Sequence, residues 1–269
     1  MAHLFTFALL LLAPFSNSDS QWTTIPNPGA KGGQAVFLTS HPSGMAMSWI
    51  DASAKYEGEL KFAVFNGESW QPTLTVAKGK NLFINWADIP KLIFSENISV
   101  AVWPQMLSDG TYDYGLRYAL SLDQGLSWQP AQWLHDDLQP REHGFVSLVL
   151  IDPDTIGAIW LDGRAMGQGH DHSQGSMQLR FREIRTSGIS PEVLLDEMTC
   201  ECCGTDLVKF QNQLVGIYRS RTQEHIRDIE VAVRNHAGEW SKSNALPADH
   251  WTIQGCPVNG PALAGCDQK

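Results

Sequence analysis

The sequence has little positive charge. Its 269 residues contain 19 lysines and arginines against 29 acidic residues, which gives a formal net charge of −10. Proteins that bind nucleic acids need a basic surface to neutralise phosphates, so a nucleic-acid partner is not expected. Apolar runs long enough to cross a bilayer are also missing after the N-terminus, so no membrane span is expected.

Several catalytic motifs are missing as well. The chain has no glycine-rich phosphate loop followed by Lys-Ser/Thr, no His-Glu-x-x-His and no Gly-x-Ser-x-Gly. Nucleotide hydrolysis, zincin proteolysis and α/β-hydrolase chemistry therefore have no support. Long segments of helical periodicity are absent after the N-terminus, whereas short segments that alternate with period two recur throughout. This pattern predicts an all-β fold.

The N-terminus has the pattern of a secretory signal. Residues 4–15 are apolar except for Thr6 and Pro14, and the small residues Ser16 and Ser18 follow. This run is too short to span a bilayer comfortably and suits cleavage near Ser18 or Ser20. We therefore predict a signal peptide at residues 1–20 and an exported protein, periplasmic or secreted. The alternative is a buried N-terminal helix.

An internal repeat is the main signal in the rest of the chain. Trp49, Trp103, Trp160 and Tyr218 each lie in a short apolar segment, at intervals of 54, 57 and 58 residues. About four short strands fit in one interval, which is typical of a propeller blade. Blades stacked around one axis bury the two apolar faces that a lone four-stranded sheet would expose. A β-propeller is therefore predicted, with a β-sandwich as the alternative.

The repeat predicts an incomplete ring. Residues 21–269 form one propeller domain, with complete blades at about 30–75, 90–135, 143–196 and 204–246 and a partial fifth blade at 255–269. Such a ring would have an exposed edge and one uncovered blade face. We expect a truncated copy of a longer protein. The alternatives are a five-bladed ring closed by borrowed strands and self-association through the open edge.

One turn matches the Asp-box pattern S-x-D-x-G-x-x-W, which recurs in sialidases and in other propellers with bacterial neuraminidase repeats. Asp and Ser close this turn by hydrogen bonding, Gly supplies an unusual φ, and Trp packs between strands. Degenerate copies lie at 66–70 and 234–240. The pattern marks the fold and is not catalytic. Its residues here are Ser121, Asp123, Gly125 and Trp128.

Further motifs resemble a branch of bacterial exported, sialidase-like propeller proteins. They are NWAD at 85–88, EHGFV at 142–146, WLDGR at 160–164, CECC at 200–203, YRSR at 218–221, RDI at 227–229 and GCPVNGP at 255–261. The resemblance covers nearly all of the mature chain. It implies a six-bladed propeller that is longer than this sequence, with about two blades missing here.

The resemblance also implies a site of sialidase type. Such a site has three arginines that clamp a sugar carboxylate, a tyrosine nucleophile assisted by a glutamate, and an aspartate that acts as the general acid and base. The chain departs from this pattern, because it lacks the usual Arg-Ile-Pro segment and residues 34–70 contain no arginine. No tyrosine–glutamate pair is identifiable by spacing. We therefore expect a binding protein for a glycan or another extracellular ligand, with an exo-α-sialidase as the alternative.

The candidate binding residues follow inner strands, whose ends line the mouth of a propeller channel. Arginines there would hold acidic groups, and the histidine and aspartates would orient hydroxyl groups. The alternative is that Asp162 with Arg164, and Asp228 with Arg227, are internal ion pairs that fix the blades. Trp86 would stack on a sugar ring or belong to the core. The candidates are His143, Asp162, Arg164, Arg219, Arg221, Arg227, Asp228 and Asp88.

The five cysteines all lie in the last third of the chain. A thiol metal or redox site, holding Zn or Cu if it binds a metal, is the third function hypothesis, because thiolates suit these ions. A disulfide between Cys256 and one of the three clustered cysteines is the alternative that export favours, and inert thiols are another. The candidate set is Cys200, Cys202, Cys203 and Cys256; Cys266 lies outside the resembling motif.

Two histidines lie in a glycine-rich loop at 167–175. His170 and His172 can chelate Zn or Cu from an extended segment. The alternative is a solvated loop, because no third ligand is obvious nearby.

Overall fold

The structure, a computed structural model, describes residues 23–29, 32–167, 175–243 and 246–265. The predicted signal peptide at 1–20 lies outside these ranges, and so do His170, His172 and Cys266. The described chain forms four antiparallel sheets and one short 3-10 helix. No helix in these ranges is long and apolar enough to cross a membrane.

The strands of each sheet follow one another in the chain, and we call the sheets blades 1 to 4. Blade 1 contains β1 (Gln34–His41), β2 (Gly44–Ala54), β3 (Glu57–Phe65) and β4 (Leu74–Gly79). Blade 2 contains β5 (Lys91–Phe94), β6 (Ser99–Met106), β7 (Tyr114–Ser121) and β8 (Gln132–Trp133).

Blade 3 is the largest sheet. It contains β9 (His143–Asp152), β10 (Thr155–Asp162), β11 (Met177–Arg185), β12 (Gly188–Ile189) and β13 (Val193–Thr199). The 3-10 helix η1 (Gly163–Ala165) follows β10, and both β12 and β13 pair with β11. Blade 4 contains β14 (Asp206–Phe210), β15 (Gln213–Arg219), β16 (Ile229–Arg234) and β17 (Trp240–Ser243).

The burial pattern explains why these segments are strands. In β3, the buried residues Gly58, Leu60 and Phe62 alternate with half-buried ones, as expected when one face of a strand is covered more fully. All eight residues of β10 are buried, because it lies between β9 and β11 and has a neighbouring blade on each side. Such a strand has a nearly continuous apolar sequence.

The repeat predicted from the aromatic landmarks is confirmed. Trp49, Trp103, Trp160 and Tyr218 lie on the second strands of the four blades, and all four are buried. The three indole N–H groups each donate to the side chain two residues further along the strand, which lies on the same face. The same local geometry therefore recurs in blades 1, 2 and 3.

The blades pack around a common channel. Three apolar clusters fill the interfaces between blades 1 and 2, 2 and 3, and 3 and 4. The first strands lie side by side, since β5 contacts β1 and β9, and β9 contacts β14. All four line one central cavity of about 230 Å³, whose walls include Thr39, Lys91, Ser147 and Asp206. This arrangement is that of propeller blades around an axis.

The segment predicted to start a fifth blade forms no strand in the described residues from 246 to 265. It lies instead against the start of β14: the Leu263 N–H donates to Asp206 Oδ2 at 2.7 Å, and Gly260 packs on the Gly204 backbone. A first strand needs a second strand beside it for a hydrogen-bond ladder, and the described chain supplies none there.

Candidate functional site

Most of the predicted site residues lie on one face of the propeller. In a four-stranded antiparallel blade, the linker to the next blade leaves from the same end as the loop between the second and third strands. The linkers at 80–90, 134–142 and 200–205 therefore share a face with the loops at 107–113 and 220–228 and with residues 163–167. We call this surface the linker face.

A buried acidic cluster lies on the linker face. The Tyr114 hydroxyl donates to Glu142 Oε1 at 2.9 Å, and the buried Asp88 carboxyl group lies beside this tyrosine and the Phe145 N–H. Gly144 permits this close approach, because a Cβ there would lie 2.0 Å from Asp88 Oδ2 and 2.6 Å from the Tyr114 hydroxyl. Three functional groups from two linkers and one strand are therefore packed around a single glycine.

The two carboxyl groups of this cluster have raised pKa values. Burial raises the pKa of Glu142 to about 8, although the hydrogen bond from Tyr114 opposes the change. Burial raises the pKa of Asp88 to about 6, although the neighbouring Phe145 N–H and Tyr114 side chain oppose the change. At neutral pH, Glu142 is therefore mainly a neutral acid and Asp88 mainly a carboxylate. This separation of two neighbouring carboxyl groups suits acid/base chemistry.

Solvent reaches the cluster at Glu142. Its side chain forms part of the wall of a surface cavity of about 10 Å³, together with Arg141, Gly163 and Met166. A volume of this size accommodates about one water molecule. The acid is therefore buried but is not sealed from the linker face.

Two predicted arginines share one acidic partner. Glu201 lies 2.8 Å from Arg227 Nη1 and 3.1 Å from Arg221 Nε, and all three side chains are buried. Burial alone would raise the pKa of Glu201, but the two guanidinium groups hold that pKa below its ordinary value. The structure therefore brings Arg221 and Arg227 together, and Glu201 neutralises part of their charge.

Asp162 and Arg164 form the internal ion pair that was one of the two expectations for them. Arg164 Nε donates to Asp162 Oδ1 at 2.7 Å, and His143 Nδ1 lies 3.1 Å from Asp162 Oδ2. Burial alone would raise the pKa of Asp162, but hydrogen bonds from Arg164 and His143 hold it well below its ordinary value. Arg164 also pairs with Glu192, which binds Arg180 as well. These residues fix blade 3.

Asp228 and Arg227 do not pair with each other. Asp228 accepts the backbone N–H groups of His250 and Trp251, both at 3.0 Å. The remaining predicted arginine, Arg219, donates to the Asn259 carbonyl at 2.9 and 3.0 Å. The expectation of an Asp228–Arg227 pair is therefore wrong. Asp228 and Arg219 instead anchor the segment that follows blade 4.

Trp86 is the most exposed large hydrophobic side chain in the described residues, at 79% exposure. It belongs to the blade 1–2 linker, two residues before the buried Asp88, and Asn85 Oδ1 accepts the Ala87 and Asp88 N–H groups there. Of the two interpretations of Trp86, a core residue is wrong. The indole is free to contact a ligand.

Two of the four candidate metal ligands form a disulfide. Cys202 is bonded to Cys256, so the expected disulfide to Cys256 is confirmed for one of the three clustered cysteines. Neither sulfur has a thiolate to offer, and the proposed set of four thiolate ligands for Zn or Cu is therefore wrong. Cys200 and Cys203 remain as buried thiols, and the Sγ atoms of Cys200, Cys202 and Cys203 lie within 4.8 Å of one another.

The turn at 121–128 lies at the opposite end of the blade, because it joins the third and fourth strands. Gly125 has a φ of +92°, and its N–H donates to Ser121 Oγ at 2.7 Å. Asp123 Oδ1 accepts from Ser121 and Ser127, and Trp128 packs against Phe62 of blade 1. The contacts are those expected of the motif, and no ligand role follows from them.

Three further residues of the linker face are not candidates by any sequence pattern. Tyr114, Glu142 and Glu201 each lie where a strand begins or where one blade is linked to the next. Glu142 and Glu201 fall inside motifs that were noted, EHGFV and CECC, which is the only signal that marks them. Tyr114 and Glu142 are 28 residues apart, on different blades, so no local spacing predicts their pairing.

No protein-family model matches the chain, and no curated protein matches it either. Solved structures do match. A GH93 α-L-arabinofuranosidase of Fusarium graminearum with arabinobiose superposes with a TM-score of 0.56 at 13% identity, covering 86% of this chain and 68% of that one. An α-L-arabinanase of Penicillium chrysogenum gives 0.51 at 12%, covering 78% and 64%.

A neuraminidase-like protein from A/bat/Guatemala is also similar, with a TM-score of 0.50 at 7% identity, covering 78% of this chain and 53% of that one. The chain thus spans about half to two thirds of the length of these structures. At these identities the likeness defines the fold alone. The protein has the sialidase-like β-propeller fold, which is also the fold of glycoside hydrolases.

Proposed function

We propose that this protein binds a glycan at the linker face. Trp86 would stack on one face of a sugar ring. The polar groups of the sugar would form hydrogen bonds with Asp88, Glu142, Arg221 and Arg227. The observation that carries the proposal is the exposed indole beside a buried polar cluster, since ligand sites combine apolar surface with a few convergent polar groups. The fold, which glycan-acting enzymes share, is consistent with it.

The proposal includes export from the cytoplasm. The sequence pattern at residues 1–20 supports it, and so does the disulfide between Cys202 and Cys256, because disulfides persist mainly in oxidising compartments. The ligand would then be an extracellular or periplasmic glycan.

Titration calorimetry on the full mature chain tests the proposal, with arabinobiose and an α-sialoside as probes. Trp86→Ala should weaken binding at least about tenfold, which corresponds to about 1.4 kcal/mol. Leu126→Ala is the matched control, because it removes another exposed apolar side chain, at 72% exposure, from the opposite end of a blade. Absence of binding to both probes, or equal binding by both variants, would contradict the proposal.

A glycoside hydrolase is the second candidate function. Tyr114 and Glu142 form the kind of tyrosine–glutamate pair that a sialidase-type site requires, with Arg221 and Arg227 on the same face. Glu142 is mainly a neutral acid at neutral pH, so it would take the Tyr114 proton only above about pH 8. Asp88 as a carboxylate and a water-sized cavity at Glu142 also suit hydrolysis.

Fluorogenic α-sialosides and α-L-arabinofuranosides distinguish catalysis from binding. A hydrolase should release the fluorophore, and Tyr114→Phe and Glu142→Gln should each reduce the rate at least about a hundredfold. Binding without release in the unmutated protein would contradict the second candidate and leave the first one standing.

A further inference from the structure

Cys200 and Cys203 form a buried pair held by a tight turn. The turn at residues 201–202 brings Cys200 and Cys203 together as its first and fourth residues, with their Sγ atoms 3.0 Å apart. Neither side chain belongs to the disulfide, and both residues are almost fully buried. Cys202, between them, points to Cys256 instead.

The two thiols are not equivalent. Arg227 Nη1 lies 3.1 Å from Cys200 Sγ and favours a negative charge there, which makes Cys203 the S–H donor of the pair. The hydrogen bond from Cys203 is the main cause that lowers the pKa of Cys200 to about 6, with Arg227 adding to it and burial opposing it. The same partnership raises the pKa of Cys203. At neutral pH, Cys200 is therefore a thiolate and Cys203 a thiol.

This geometry does not suit a metal ion. Thiolates that bind one tetrahedral zinc lie about 3.8 Å apart, given metal–sulfur distances near 2.3 Å, and these two sulfurs are closer. The guanidinium of Arg227 already places a positive charge against Cys200. A dithiol with one thiolate and one thiol, in a Cys-x-x-Cys spacing, is instead typical of thiol–disulfide exchange.

We propose that Cys200 and Cys203 are a redox-active dithiol that exchanges with the Cys202–Cys256 disulfide. The Cys200 thiolate attacks Cys202 Sγ, and Cys256 leaves as a thiolate that takes up a proton. Cys203 then loses its proton and attacks Cys200 Sγ, which releases Cys202. Two electrons pass from the buried pair to the outer one, so the chain needs no external oxidant for this step.

The positions of the four sulfurs support this route. The Cys200, Cys202 and Cys203 sulfurs lie within 4.8 Å of one another, so the attacking and attacked atoms are neighbours. Cys202 is half-buried and Cys256 is exposed. The exchange would therefore place two reduced thiols where an external disulfide can oxidise them again. It would also remove the thiolate that faces Arg227 on the linker face.

Trapping of thiols in the full mature chain tests the proposal. The protein, with its disulfide intact and no reductant present, is treated with iodoacetamide between about pH 5 and about pH 8 and mapped by mass spectrometry. We expect alkylated Cys256 together with a Cys200–Cys203 linked peptide, at a rate that rises with pH as the thiols ionise. The matched control Cys200→Ser should slow the alkylation of Cys256 at least about tenfold.

Two results would overturn the proposal. In the first, Cys256 is alkylated in Cys200→Ser as fast as in the unmutated protein. In the second, Cys200 and Cys203 are alkylated and Cys256 is never labelled. Thiolate absorbance near 240 nm in the unmutated protein gives a readout that does not depend on the variant folding. A step near pH 6 is expected, and its absence would equally refute the assignment of Cys200 as the attacking group.

Discussion

Replacing Asp162 by asparagine should destabilise the protein far more than the same change at Asp51. The two aspartates occupy equivalent positions, each two residues after the landmark tryptophan of its blade and each accepting that indole N–H at 2.9 Å. Their surroundings differ. The side chain of Asp162 is fully buried and is paired with Arg164, whereas that of Asp51 is 23% exposed and is paired with Lys61.

The magnitude follows from these environments. Removing one partner of a buried ion pair costs about 3–5 kcal/mol, because the other charge stays buried without compensation. Arg164 is partly exposed and keeps Glu192, so the lower figure of about 3 kcal/mol applies to Asp162→Asn. A partly exposed ion pair contributes at most about 1 kcal/mol, so Asp51→Asn should lower the free energy of unfolding by no more than that.

Urea unfolding followed by tryptophan fluorescence at pH 7 measures both variants. The pKa of Asp162 is lowered in the folded state, so its contribution is complete above the unfolded pKa of about 3.8 and is lost as the pH falls below it. Asp162→Asn should therefore also flatten the acid side of the stability profile. Equal free energies of unfolding for the two variants, within about 1 kcal/mol, would show that the burial of Asp162 does not set its contribution.

Three further predictions concern the linker face and its anchor. The pKa of Glu142 is raised, so this group removes up to about 1.4 kcal/mol of stability per pH unit as the pH rises from about 4.5 to about 8. The difference in stability between the native protein and Glu142→Gln should change with that slope in urea titrations across the range. Gly144→Ala would press a methyl group into the acidic cluster and should cost about 1–3 kcal/mol in thermal unfolding, whereas Gly79→Ala, with no atom within 4 Å of the added carbon, should cost less than about 1 kcal/mol. Removing the disulfide by Cys202→Ser should cost about 4 kcal/mol, because the disulfide closes a loop of 54 residues between Cys202 and Cys256. A loss of less than about 1 kcal/mol in urea unfolding would refute that figure.

The fold could be predicted because its signal is local and repeated. Each landmark aromatic lies on a second strand, and its partner two residues on is fixed by the period of the strand. The turns at Asn66, Asp123 and Asn235 recur for the same reason, since each side chain accepts backbone N–H groups of its own turn. Local patterns of this kind need no knowledge of distant contacts.

The pairing within the site could not be predicted in the same way. Arg227 has an aspartate beside it in the sequence, but neighbouring residues of an extended chain point in opposite directions. Its partner is Glu201, 26 residues earlier and on another linker. The exposure of Trp86 could not be predicted from the sequence either. Whether Trp86 packs in the core or faces solvent depends on how two blades meet, which its own segment does not encode.

The location of the polar groups on linkers couples the site to the packing of the blades. Asp88, Glu142 and Glu201 lie on three successive links between sheets, so the distances between them depend on how closely the apolar faces pack. A ligand that contacts all three would act as a crosslink between blades. Occupancy of the site would therefore raise the midpoint of thermal unfolding, and repacking of a distant core residue would change affinity without touching the ligand.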